Sequence, residues 1–184
     1  MKRRCIQHVA HASQGLSLLT MQHKPIIPNA GQESVWNYPR PPRVEAVSKH
    51  IKIIFNGKLI VDTHRARRVL ETSHPPNYYI ALDNVATEYL IPTSHATFCE
   101  WKGTASYYTL KVGDREAKNA AWYYPNISPD YKALEGYVSF YPGLMDACYV
   151  DDEKVKPQAG GFYAGWITQD IVGPFKGEAG TLGW

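Results

Sequence analysis

A chain of 184 residues with 44% apolar side chains can bury most of its surface as one domain. Its longest apolar runs, such as IKIIF, fall far short of the roughly 20 residues a spanning helix needs, so no membrane association is expected. The formal charge is +3, but Lys2, Arg3, Arg4 and Lys24 occupy a first stretch of 24 residues that has no acid; removing those four of the 20 basic residues leaves 16 against 17 acidic. The folded part is then near neutral, which argues against nucleic-acid binding, since such domains carry their basic face on the domain itself.

Thirteen tyrosines, five tryptophans and 13 prolines favour strands and turns over long helices. Three cysteines, Cys5, Cys99 and Cys148, are too few for a disulfide framework, and there is no CxxC pair for zinc. A reducing, cytoplasmic setting is the simplest reading.

In chain order, residues 1–32 read as a flexible extension. They mix Ser, Gln, His, Gly and Pro, with basic residues first and no acid, which gives them a weak likeness to an organelle-targeting presequence, although Met21 offers an alternative start. Residues 33–184 read as a single domain. ESVWNYPRPPRVEAV begins it with an extended, proline-set arm in which Trp36 and Tyr38 are large enough to pin the path to the domain. Alternation in Ile51, Ile53 and Phe55 runs into Asn56-Gly57, a hairpin signal. RRVLET predicts a third strand, with Glu71 at its end pairing with Arg67 or Arg68.

NYYIALDNV and EYLIPT predict short strands or extended loops. TFCEWKGTASYYTLKV, residues 97–112, gathers Cys99, Glu100, Trp101 and Lys102 directly before Gly103 and a tyrosine-bearing strand. A turn at Gly113-Asp114 then leads to a returning strand, AKNAAWYY, which sets Trp122 and Tyr124 across from the central tyrosines. One short helix is predicted near 129–138, with Ser128 as N-cap, Pro129 at the first position and Tyr131, Leu134 and Val138 on one face. DACYVDDEKV predicts a hairpin about Asp151-Asp152, GGFYAGWITQDIV a final strand region, and GPFKGEAGTLGW a tail whose Trp184 docks on the domain. The result is a mainly β, small antiparallel domain.

The densest reactive chemistry lies at residues 99–103. In an unbroken strand Cys99 and Lys102 would face opposite ways; a bend at Gly103 would re-aim the lysine so that both line one pocket. A thiolate is favoured beside an ammonium, which makes Cys99 a candidate nucleophile. Lys102 could bind an anion, or pair with Glu71 or Glu100, and Glu71 could act as a general base. Tyr79, Tyr107, Trp122 and Tyr124 suit the walls of a small-molecule pocket, or equally a core.

The candidate set is therefore Cys99, Lys102 and Glu71 for chemistry and Tyr79, Tyr107 and Trp122 for holding a ligand. No metal site and no cofactor are expected: the histidines lack ligand spacing, and no glycine cluster has the context of a phosphate loop or dinucleotide fingerprint. Two alternatives remain open. One is a non-catalytic interaction module, or a homodimer, using the arm from Trp36 to Pro42. The other is thiol redox chemistry at Cys99, with Cys148 within disulfide reach.

SVWNYPRPPR, RARRVLETSHPPNYYI, FCEWKGTASYYTLKVG, NAAWYYP and GYVSFYP together resemble the domain-of-unknown-function family 427 over residues from about 33 to 184. Many relatives have Cys-Pro-x-Lys-Gly where this chain has Cys99-Glu100-Trp101-Lys102-Gly103. The resemblance implies a β-tent-like fold, similar to methionine sulfoxide reductase B and the cereblon ligand-binding domain, without their paired zinc ligands. Some members carry a nucleotidyltransferase-like label, which the residues here do not support. Relatives in the fold class include both an enzyme with a catalytic cysteine and a binder with an aromatic cage.

Overall fold

The computed structural model describes residues 24–181 and 184. The presequence reading, Cys5 and the extension as far as residue 23 lie outside them. Two later positions of the expected extension are hydrogen-bonded to the domain, Ile26 N–H to the Gly173 carbonyl at 2.9 Å and Gln32 Nε2 to the Gln169 carbonyl at 2.8 Å.

The strands follow one another as β1 (Glu33–Ser34), β2 (Arg43–Val47), β3 (Ile51–Phe55), β4 (Lys58–Thr63), β5 (Ala66–Leu70), β6 (Asn77–Ala81), β7 (Leu90–Cys99) and β8 (Gly103–Val112). After these come β9 (Arg115–Tyr123), β10 (Tyr137–Phe140), β11 (Ala147–Val150), β12 (Glu153–Lys154), β13 (Lys156–Pro157), β14 (Trp166–Ile167) and β15 (Ile171–Val172). Seven of them form an antiparallel sheet in the order β2-β5-β6-β10-β9-β8-β7, and four form a second sheet, β12-β11-β3-β4. The chain is mainly β, as its composition predicts.

Turn chemistry accounts for the hairpins. Asn56 and Gly57 join β3 to β4 with φ of 45° and 69°, the two positive values that a type I′ turn requires. Gly113 (φ 56°) sits in the turn that pairs Val112 with Arg115, and Asp151 (φ 55°) in the one that pairs Val150 with Glu153. The helix is shorter than its sequence pattern suggests: Pro129–Leu134 forms a kinked 3-10 segment, and Val138 already belongs to β10. Ser128 does not cap it through its side chain; its hydroxyl donates instead to the Trp101 carbonyl at 2.9 Å.

Successive side chains along a strand point opposite ways, and the central strands of the larger sheet bury residues on both faces. On one face Tyr78, Ile80, Leu110, Val138 and Phe140 join Ile51, Ile53 and Phe55 of the smaller sheet in the main core. On the other face Val69, Tyr79, Ala105, Tyr107 and Trp122 form a second cluster with Tyr124, Leu134 and Ala164. Neighbouring residues are thus divided: Tyr78 serves the core, Tyr79 the opposite side. A third cluster holds the arm, with Val35 and Tyr38 buried against Leu70 and Ile171. Trp36 donates its indole N–H to the Pro174 carbonyl at 2.9 Å, and Trp184 packs edge-on against it with centroids 5.0 Å apart.

Candidate functional site

The hairpin from β7 to β8 sets the geometry. Cys99 pairs with Gly103 across the turn Glu100–Lys102, and Gly103 has φ +93°, a conformation that L side chains rarely adopt. The tip is pinned from outside by two bonds, Ser128 N–H to the Lys102 carbonyl at 3.2 Å and the Ser128 hydroxyl to the Trp101 carbonyl.

The turn separates the two groups that sequence placed together. Cys99 lines a cleft of about 650 Å³ over the second face of the larger sheet. Lys102 is not in that lining. Its side chain is buried, with the ammonium 5.9 Å from the Tyr124 ring centroid and 5.7 Å from that of Tyr131. Among the described residues it has no carboxylate within salt-bridge distance: Glu71 is taken by Arg40, Lys102 does not pair with Glu100, and a cation over two aromatic faces stands in place of an ion pair.

Of the other expected residues, Glu71, Tyr107 and Trp122 line the cleft beside Cys99. Tyr79 lies beneath: it is 2% exposed, and its hydroxyl accepts the Trp122 indole N–H at 3.1 Å. The Tyr124 phenol belongs to the same buried cluster. Burial pushes both phenols far above their ordinary range, so each stays protonated and available as a donor. Tyr107 stands directly opposite Trp122 in the β8 and β9 register.

Glu71 is paired, but with Arg40 rather than Arg67 or Arg68; Arg40 Nη2 lies 3.0 Å from Glu71 Oε1. β5 ends at Leu70, so Glu71 leaves the strand and meets the arm. Arg68 is engaged elsewhere, with Glu33 at 3.0 Å and Glu45 at 2.8 Å, and the Arg67 guanidinium stacks 5.3 Å from the Tyr137 ring centroid.

The cleft also recruits residues that the sequence reading passed over: Arg40, His74, Asn77 and Lys176. His74 Nδ1–H donates to the Thr72 carbonyl at 2.9 Å, which leaves Nε2 with its lone pair. Burial holds this imidazole below its ordinary pKa and therefore neutral. Asn77 Oδ1 is buried with no hydrogen-bond partner among the described residues. A shared cleft for these four is invisible in their spacing, because Arg40 comes from the arm, His74 from the approach to β6, Asn77 from its first position, and Lys176 from the tail.

The two described cysteines are both free thiols. Cys148 faces Ile53 across β11 and β3 in the main core, and burial pushes its thiol well above the ordinary range. Cys99 packs with the cluster on the other face of the larger sheet.

An antiparallel β domain with a polar and aromatic cleft on one sheet face is thus the class that these observations define. Residues 43–151 match the family described as Domain of unknown function (DUF427), and the chain belongs to that family. No curated protein matches it.

Proposed function

We propose that the cleft binds a small molecule bearing an anionic or carbonyl group, and that Cys99 faces its reactive carbon. The observation that supports this most is the meeting of Glu71, Cys99, Tyr107 and Trp122 with Arg40, His74 and Lys176 around one space of about 650 Å³. That volume is within the usual range of roughly 300–1,000 Å³ for ligand sites.

In this reading Arg40 and Lys176 attract the ligand's oxygen, and Tyr107 and Trp122 hold its body. Glu71 or neutral His74 takes the proton when the Cys99 thiol adds to a carbonyl carbon; the C=O π electrons move to oxygen as the S–C bond forms. Tyr79 fixes the Trp122 indole, and Lys102 supports the site from behind by steadying the Tyr124 ring.

The test is a ligand-observed NMR screen of small carboxylates and aldehydes on the full chain, before and after alkylation with iodoacetamide. Mass spectrometry is expected to find Cys99 carbamidomethylated and Cys148 unmodified, and the added group is expected to abolish the hits. Identical hits on alkylated and untreated protein would overturn the reading.

A further inference from the structure

A second chamber of about 480 Å³ adjoins the cleft, and Tyr107, Tyr141, Phe162 and Tyr163 stand between them. None of Glu71, Cys99 or Trp122 lines it. Its polar lining comes from two irregularities in the larger sheet that lie side by side. Between the pairs Pro92–Tyr108 and Ala96–Ser106, β7 passes three residues, Thr93, Ser94 and His95, opposite the single Tyr107 of β8. Between Leu110–Ala117 and Tyr108–Ala121, β9 passes Lys118, Asn119 and Ala120 opposite the single Thr109. Extra residues of this kind re-aim side chains and recur beside binding sites.

The two bulges are tied across β8. The Thr93 hydroxyl donates to Asn119 Oδ1 at 3.0 Å, and Asn119 N–H donates to the Thr109 hydroxyl at 3.4 Å. Asn119 holds φ of 51°, an uncommon value for a residue with a side chain. His95, Lys118 and Asn119 are thereby all delivered to the chamber wall.

The chemistry of that wall is one-sided. Its two side-chain amide oxygens are engaged within the protein, Asn119 Oδ1 by the Thr93 hydroxyl and Gln158 Oε1 by Gly165 N–H at 3.1 Å, and the Thr97 and Tyr107 hydroxyls share one hydrogen bond of 2.8 Å. Three side-chain donors of the wall are unspent. Among the described residues Lys118 has no ion-pair or hydrogen-bond partner, Asn119 Nδ2 is unused, and the His95 ring only rests edge-on against Tyr107 at 4.5 Å. No carboxylate lines the space. The remainder is aromatic: Tyr107, Tyr141, Tyr163 and Phe162, the last 73% exposed at the mouth.

We propose that this chamber is a binding site for a planar aromatic ring carrying a carboxylate, with the ring between the aromatic walls and the acid on Lys118 and Asn119. Aromatic walls alone would accept a cation or the face of a sugar equally well. The ammonium at the rim repels the first, and that unpaired charge beside the unused Asn119 Nδ2, in a lining without a carboxylate, selects an acid over a neutral hydroxyl compound.

Isothermal titration calorimetry of the full chain with indoleacetate, tryptamine and acetate tests this directly. Indoleacetate is expected to bind saturably. Tryptamine, which has the ring with the opposite charge, and acetate, which has the acid without the ring, are expected to bind at least about tenfold more weakly. Lys118→Ala, at an exposed position, is expected to weaken indoleacetate by about tenfold, with Lys118→Arg restoring most of it. Carbamidomethylation of Cys99 is expected to leave indoleacetate binding intact, which separates this chamber from the cleft.

Absence of saturable indoleacetate binding, equal binding of tryptamine, full affinity in Lys118→Ala, or loss of binding on Cys99 alkylation would each overturn the assignment.

Discussion

Replacing Tyr79 by phenylalanine removes one oxygen and keeps the ring, so it isolates the bond beneath the cleft. Tyr79 is 2% exposed, and its hydroxyl is the acceptor for the Trp122 indole N–H. Without it a buried donor is left unpaired, a loss of about 1–3 kcal/mol. Trp122 lines the cleft at 6% exposure, so water can offset part of the loss, and the lower half, about 1–2 kcal/mol, is expected. In a domain of this size that lowers Tm by roughly 2–8 °C.

Tyr38→Phe is the matched control. The Tyr38 hydroxyl donates to Glu33 Oε2 at 2.9 Å, but the Glu33 side chain is 38% exposed and also meets Arg68. Its acceptor can turn to water or to the arginine, so the loss is expected below about 1 kcal/mol. Urea unfolding followed by tryptophan fluorescence, with linear extrapolation, measures both variants. If Tyr79→Phe costs less than Tyr38→Phe, or lies within about 0.5 kcal/mol of the parent, the indole is not held by that bond and the argument for a fixed cleft floor fails.

Two further outcomes follow from backbone and charge. Gly103→Ala places a Cβ 3.3 Å from the Asn126 carbonyl at φ +93°, whereas Gly113→Ala, at φ +56°, meets nothing closer than the Asn56 side chain at 3.8 Å. Thermal melts are expected to show the second costing about 1–2 kcal/mol from backbone strain alone and the first costing more. For His74, burial lowers the folded pKa, so the unfolded chain takes the proton more readily and stability rises with pH in that window. The contribution of the neutral ring is present above about pH 6.5 and is lost as pH falls through the folded value. His74→Gln is expected to flatten that decline in urea titrations at stepped pH, and an unchanged slope would show that His74 is not the group responsible.

Much of the fold was legible because its signals are local. Asn56-Gly57, Gly113-Asp114 and Asp151-Asp152 each mark a turn whose chemistry is complete within a few residues, and alternation in Ile51, Ile53 and Phe55 defines a face without help from distant strands. The segment after Ser128 was less so. Its capping pattern fits a helix, yet Val138 finds a better place in β10, where it pairs with Ile80 and Tyr123. Tertiary pairing overrides the local preference there.

Side-chain direction was harder still. Sequence puts Cys99 and Lys102 three residues apart but cannot say which way a hairpin tip turns, because that depends on Ser128 and Asn126 reaching it from elsewhere in the chain. For the same reason Arg40 as the partner of Glu71, and His74, Asn77 and Lys176 as members of the cleft, became visible only in three dimensions. The doubled bulge about Tyr107 left no mark either, since an extra residue in a strand reads as ordinary alternation until its partner's register is known.

The larger sheet touches apolar neighbours above and below, and this couples two properties that are separable in most proteins. A domain whose binding surface is a loop can vary that loop while its interior goes unchanged. Here the backbone that carries Tyr79 and Trp122 on one side carries Tyr78 and Ala121 on the other. On the proposed function, altered ligand preference at those positions comes with altered folding stability, and new specificities would arise more readily at the rim, from residues such as Lys118 and Phe162.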